Sequence, residues 1–228
     1  MAEPKELTSA MQDYICAIHE LARTESPVTT TALARCLGVA PASVTGMIKR
    51  LASYGLVDHR RYAGVSLTPA GERIAHEVIR HHRLIETYLA EAMGVTWDNV
   101  HDEAHRLEHV ISNRLGDRMD ELLGHPARDP FGAPIPPKDG PFLDPDLPTL
   151  DGARAGQRLV VRVVRDDDSE RLRYLDCLGV RPDTVIDVVD VAPFGGPITI
   201  RVAGGEHAIG AQLAATISVE FVDAEPGS

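Results

Sequence analysis

Between residues 125 and 148 the chain reads HPARDPFGAPIPPKDGPFLDPDLP, a stretch dense in proline. Proline fixes its own φ, lacks an amide hydrogen and pushes the residue before it out of helical geometry. This stretch is therefore neither a regular helix nor a central strand. It divides the chain into a mostly helical part before it and a part made of short strands after it. Its own state stays open between a flexible tether and an extended segment docked on a neighbouring domain.

Ahead of it, apolar residues recur at 7, 11, 14, 15, 18 and 21–22, which predicts a helix over 7–22 with Thr8 or Ser9 as its cap. VTTTALARCLGV predicts a short helix ending at Gly38, and APASVTGMIKRLASYGLV a second one closed by Gly55. VDHRRYAGVSLT reads as two extended runs around Ala63-Gly64, after which Pro69 opens a long helix to about residue 92. Helix, tight turn, helix and hairpin are the order of a winged helix-turn-helix, framed by small strands at Val28 and Leu56-Val57. Thr96 or Asp98 is the expected cap of the next helix, in a helical region that runs to 123.

Beyond the prolines, short alternating runs at 157–164, 184–191, 197–202, 206–210 and 214–222 predict a small β-barrel with an SH3-like strand count. SERLRYLDCLGV, between the first two, predicts a helix of a turn or two. The expected fold is mainly α with a small β domain. Its parts are a winged helix-turn-helix over 1–70, a helical dimerisation domain over 71–124, a linker over 125–150 and a β-barrel over 151–228.

Charge then separates the parts. The formal net charge is -11, which argues against a protein that coats nucleic acid non-specifically. Residues 1–75, however, carry eight Lys/Arg against seven Asp/Glu, and the rest fifteen against twenty-seven. Any DNA contact belongs to the first third. Cys16, Cys36 and Cys177 form no CxxC pair, and no apolar run approaches the roughly 18 residues of a membrane span. With no signal peptide, the expectation is a cytoplasmic protein with reduced thiols.

A recognition helix from about Pro41 to Ser53 presents Ala42, Ser43, Thr45, Gly46 and Lys49 outward, with Val44, Ile48 and Leu51 inward. Small and hydroxylated residues let such a helix lie deep in the major groove. Arg60 and Arg61 on the wing can meet phosphate or the minor groove. Thr31, Ala40 and Arg50 complete the candidate DNA-contacting set. No Arg or Gln projects from the first turn, so shape readout gains weight over base contacts.

Six of the ten histidines fall between His76 and His109. In HDEAHRLEHV, helical spacing puts His105, Glu108 and His109 on one face, with His101 one turn earlier on a neighbouring face. His82 and Glu86 repeat the i, i+4 spacing on another helix. Imidazole and carboxylate presented this way are ligands for divalent metals. Asp13, on the first helix, would join the head to such a site. His105-Arg-Leu-Glu108-His109 also matches the H-x-x-E-H motif of inverted zincins, which makes a metallopeptidase the rival reading. A metal-storage protein is a third, but it would need neither wing nor Arg60-Arg61.

HDEAHRLEHVI, the segment RHHRLIE, the winged head and the barrel together resemble the diphtheria-toxin-repressor and iron-dependent-regulator family, which includes the manganese transport regulators. The most specific part is HDEAxRxEHV followed by PFGxPIP from Pro130 to Pro136. The resemblance covers nearly the whole chain and implies a homodimeric repressor of metal-uptake genes, not an enzyme. Such a repressor is expected to bind a palindromic operator on double-stranded DNA when Mn(II) or Fe(II) is sufficient. It implies an FeoA-like identity for the barrel and two metal sites per chain. The activating site falls on Asp13, His105, Glu108 and His109. The ancillary site falls on His82, Glu86 and His101, completed by Asp167 and Glu170. Iron-type members have Met at the position of Asp13 and Cys at that of His105, whereas manganese-type members without the barrel have Glu at the positions of Cys16 and His105. This chain mixes the two patterns, with Cys16 a candidate further ligand. An O/N donor set suits Mn(II) or Fe(II), with Zn(II), Co(II), Ni(II) and Cd(II) able to compete in vitro.

Overall fold

Helical spacing of Met11, Ile15 and Ile18 lays one apolar face of α1 (Ser9–Leu21) against α2 (Thr30–Cys36) and α3 (Pro41–Ser53). Leu33, Val44, Ile48 and Leu51 close the same core, all fully buried. Each such side chain contributes about 1.5–3 kcal/mol through apolar burial. Gly38 turns the chain between α2 and α3 at φ +63°, and Pro41 starts α3 at a position that needs no amide hydrogen. Strands β1 (Val57–Arg60) and β2 (Gly64–Leu67) form an antiparallel wing. Val28 adds a single bridge to Val65, with both backbone hydrogen bonds at 2.9 Å. Leu56 is not a strand residue; its amide bonds back to Leu51 and closes α3.

The computed structural model describes residues 7–60 and 64–222. It divides into two compact units. The first holds the chain through His81, with Glu108–Ile111 and Pro136–Phe142; the second holds His82–Leu107, Ser112–Ile135 and the chain from Leu143. Helix α4 (Pro69–Met93) runs through both. Its entry is fixed in the first unit: the Thr68 hydroxyl donates to the Gly55 carbonyl at 2.8 Å, and a Cβ at Gly71 would sit 2.2 Å from the Leu56 carbonyl oxygen.

In the second unit, α5 (Trp97–Leu107) and α6 (Asn113–Leu122) follow α4. Thr96 precedes α5 and accepts the Val100 amide through its carbonyl, while the Asp98 carboxylate is taken by Arg173 at 2.7 Å. The proline-rich segment is docked here over residues 129–135. The amides of Phe131 and Ala133 donate to Asp129 Oδ1 at 2.8 and 2.9 Å, and Arg83 lies 3.5 Å from the same buried carboxylate. Trp97 Nε1 donates to the Pro130 carbonyl at 3.1 Å and stacks on Phe131. The Val164 amide donates to the Phe131 carbonyl, so the segment is stitched to the β domain as well.

That domain is an antiparallel sheet of β3 (Arg158–Val164), β4 (Val185–Val191), β5 (Ile198–Val202), β6 (Gly205–Ile209) and β7 (Ile217–Phe221), in the order β6-β5-β4-β3-β7. It has the SH3-like arrangement expected. Helix α7 (Ser169–Leu178) and the short α8 (Ala211–Ala214) complete it. Asp168 caps α7 by accepting from the amides of Glu170 and Arg171 at 2.9 and 3.0 Å. Asp168→Ala is expected to cost about 1 kcal/mol, read as a fall of roughly 2–4 °C in the melting temperature of the full chain. Among the described residues no single helix is long and apolar enough to cross a membrane.

Candidate metal centre

Helix α1 carries Gln12 and Asp13 to the segment just past α5. The helix stops at Leu107, and residues 108–110 form a turn in which Glu108 is buried. His109 Nε2 lies 2.8 Å from Asp13 Oδ1 and 3.2 Å from Glu108 Oε1. Its other nitrogen, Nδ1, lies 2.7 Å from Gln12 Oε1. A Gln carbonyl oxygen only accepts, so Nδ1 donates to it and the neutral ring presents a lone pair at Nε2. That lone pair faces two carboxylate oxygens, an arrangement that calls for a proton or a cation among them. One ligand atom from each of Asp13, Glu108 and His109 lies within 4.8 Å of the others. Two hard oxygens and one imidazole nitrogen fit a divalent ion of the Mn(II)/Fe(II) class.

Of the three residues expected on one helical face, His105 lies on the last turn of α5, and Glu108 and His109 lie in the turn that follows it. The chain leaves α5 at Glu108, whose carboxyl turns to the buried position beside His109. Gln12 is the residue that sequence reasoning missed. Its only signal was a polar neighbour of Asp13 on a helix that is otherwise apolar over that turn. Cys16, one turn from Asp13, is not in the gathered group. Burial, then the charges of Glu108 and Asp13, push its thiol up to about 12. In metal-free protein at pH 8, iodoacetamide is expected to label the exposed Cys36 and Cys177 and to leave Cys16 unmodified, as read by peptide mass spectrometry.

A second group lies wholly within the second unit. His82 and Glu86 sit one turn apart on α4, and His101 comes from α5. Glu86 Oε1 lies 2.8 Å from His82 Nε2 and 2.9 Å from His101 Nδ1, and the two nitrogens are 3.1 Å apart. Burial alone would raise the Glu86 pKa. The charge of His82 and hydrogen bonds from His101 and His82 outweigh it and hold the carboxyl well below the usual range. Asp167 and Glu170 do not join this group: both are exposed. The acids beside them are committed to the loop. Asp166 accepts from the Asp168 amide and pairs with Arg171, and Asp168 caps α7.

The α3 surface has the expected two sides. Ala42, Ser43, Thr45, Gly46, Lys49 and Arg50 are exposed, as are Thr31 on α2 and Ala40 before α3. The Thr45 hydroxyl donates to the Pro41 carbonyl at 3.1 Å, which turns it into an acceptor toward anything outside. Arg60 ends β1, and Arg61 lies outside the described residues.

Comparison with known proteins bears on all three regions. Residues 6–65 match the family described as the N-terminal DNA-binding domain of iron-dependent repressors, and residues 68–137 match its metal-binding and dimerisation domain. Residues 149–221 match the FeoA domain. The chain is 31% identical to the diphtheria toxin repressor of Corynebacterium efficiens, covering 96% of this chain and 98% of the relative. It is also 31% identical to the iron-dependent repressor IdeR of Mycobacterium tuberculosis, over 95% of this chain and 99% of that one. Among solved structures, a manganese-dependent transcriptional repressor in complex with manganese superimposes with a TM-score of 0.86 at 37% identity, covering 93% of this chain and all of that one. The manganese-activated repressor ScaR with bound Cd(II) gives a TM-score of 0.82 at 30% identity, over 93% and 99% of the two chains. The chain belongs to the iron-dependent repressor family, whose members are metal-dependent transcriptional repressors and not enzymes.

Proposed function

We propose that this protein is a cytoplasmic homodimer that, with Mn(II) or Fe(II) bound, represses metal-uptake genes by binding a palindromic operator. The convergence of Asp13, Glu108 and His109 carries the reading, because it places an α1 residue of the DNA-binding head in a divalent-metal donor set. The set holds no sulfur, which favours the Mn(II)/Fe(II) class over softer metals. Relatives named for iron and neighbours named for manganese support the same pair. The group of His82, Glu86 and His101 is the proposed second site.

In the metal-free chain Asp13 and Glu108 bring like charges together, which works against a fixed seat for α1. A bound divalent ion supplies the positive charge that offsets both carboxylates. Gln12 holds the His109 ring so that Nε2 points at them. A seated α1 fixes α2 and α3 through the shared core of Met11, Ile15, Leu33 and Ile48. In a dimer the two α3 helices then meet successive major grooves, about 34–36 Å apart. Once one half-site is engaged, the second contact is effectively intramolecular.

Metal analysis of the protein purified from its own cells, followed by operator titration at controlled free Mn(II) and Fe(II), tests the reading. The expectation is half-maximal operator binding at a free concentration of one of these metals found in cells. Operator binding indifferent to both metals would reject metal control while leaving DNA binding intact.

A further inference from the structure

The first unit contains a third group of metal-binding side chains, at the opposite end of α1 from Asp13. His19 lies in the last turn of α1, and Glu72 and His76 are one turn apart at the start of α4. His19 Nδ1 is 2.9 Å from Glu72 Oε2, and His76 Nε2 is 3.7 Å from the same oxygen. The three ligand atoms all lie within 4.8 Å of one another. The imidazole rings meet edge to face, with centroids 5.2 Å apart and planes at 86°. Two rings turned toward one carboxylate oxygen at nearly a right angle resemble adjacent ligands of one ion more than a packed pair. Phe142 stands edge-on to His76 at 5.1 Å and walls one side.

We propose that His19, Glu72 and His76 form a third cation site, of the zinc class, that bridges the end of α1 to the start of α4. Two imidazole nitrogens and one carboxylate oxygen, with no sulfur, are a donor set that Zn(II) and Co(II) take in four-coordinate sites, leaving one position for water. Affinity for such nitrogen-rich sets rises from Mn(II) toward Co(II), Ni(II) and Zn(II). The site thus selects against the metals proposed for the Asp13 group. Ligand bonds of about 2.0–2.1 Å in tetrahedral geometry put ligand atoms roughly 3.4 Å apart. Glu72 and His76 already stand near that separation. The closer His19 contact opens by about half an ångström, which rotation of the half-exposed Glu72 side chain provides. The backbone under Glu72 is held in place: the Gly71 amide donates to the Thr68 hydroxyl at 3.2 Å, and Gly71 packs with no room for a Cβ. Burial, then His19, lowers the His76 pKa against the pull of Glu72.

Asp13 and His19 are six residues apart, about 9 Å along the helix axis. The two groups share no ligand, so they can be counted separately. Zinc-class binding would fasten α1 to α4 regardless of manganese or iron status and would stabilise the head against unfolding.

The test uses the full-length chain, stripped of metal, loaded with Co(II) or Zn(II) and freed of excess by gel filtration. Metal per chain is then counted for wild type, His19→Gln, Glu72→Gln and His76→Ala. Each variant is expected to carry one ion fewer than wild type, with unchanged circular dichroism. A Glu108→Ala/His82→Ala chain, altered in both groups described above, is expected to retain one Co(II) with the visible absorption of a four-coordinate ion. Anomalous scattering at the zinc edge should give a peak among His19, Glu72 and His76. If His76→Ala does not fold, the two milder variants decide the count. Equal metal content in wild type and the folded variants, or no peak at that position, overturns the proposal. Because Glu108→Ala tests the activating group alone, failure of either reading is recognised apart from the other.

Discussion

Metal-stripped protein is expected to lose operator affinity by on the order of 100-fold, and Mn(II) or Fe(II) to restore it. The size follows from what an unseated α1 costs. Each head alone makes one half-site contact, and the gain from a paired second contact is available only when both heads are held in register. The measurement is fluorescence anisotropy with a palindromic duplex at fixed salt, because ionic strength alone shifts such affinities by orders of magnitude. Reciprocity gives an independent check. Operator DNA should tighten metal binding by the same factor, since the coupling free energy belongs to the pair of ligands and not to either one. Unchanged affinity after chelation, verified by metal analysis, would show that the Asp13 group does not control the head.

Glu108→Ala and His109→Ala are each expected to weaken activating-metal affinity by about 10- to 100-fold or more while the dimer stays folded. Glu108 supplies a buried carboxylate, and His109 supplies the nitrogen aimed at both oxygens. Gln12→Ala should have a smaller effect in the same direction, because the ring keeps its ligand atom and loses only the partner that orients it. The readout is the free Mn(II) concentration at half-maximal operator binding. At saturating Mn(II) the Gln12 variant should repress normally, whereas the two ligand variants should need far more metal. Wild-type metal curves from Glu108→Ala and His109→Ala would refute the assignment of this group.

Much of the fold was legible because its periodicities are local. Val44, Ile48 and Leu51 could face only one way on a helix that starts at Pro41, and the structure puts α3 over the expected span. The prolines ruled out helix and strand over 125–148, but they could not say whether the segment docks. That depends on a buried Asp129 meeting Arg83 and on Trp97 meeting Phe131, contacts between residues 46 and 34 positions apart. The one-turn spacing of His82 and Glu86 was readable for the same local reason, whereas His101, on another helix, was joined to them only by the family resemblance. His105 lies on α5 as expected, but helical phase was carried past Leu107, where the backbone turns and leaves Glu108 and His109 beyond the helix. No periodicity announces a helix end that carries neither proline nor glycine. Asp167 and Glu170 came from the family resemblance, and no spacing within RDDDSER tells which of its acids caps a helix and which faces water. His19 and Glu72 lie 53 residues apart, beyond the reach of any spacing rule.

The surface of α3 carries a consequence for the DNA it meets. Ala42 and Gly46 offer no hydrogen bond, and Thr45 has committed its proton to Pro41, so Ser43 is the one hydroxyl in that stretch still able to donate. A single base change in a half-site removes no bidentate contact to this stretch, and it should cost less than the roughly 1–3 kcal/mol typical of a well-read position. Inserting one base pair between half-sites is different. It rotates one groove by about a tenth of a turn away from a partner helix held at fixed separation. On the proposed dimeric reading, operators for this protein are expected to drift in spelling while their length stays rigid. A genome search for them should score spacing and symmetry before it scores letters.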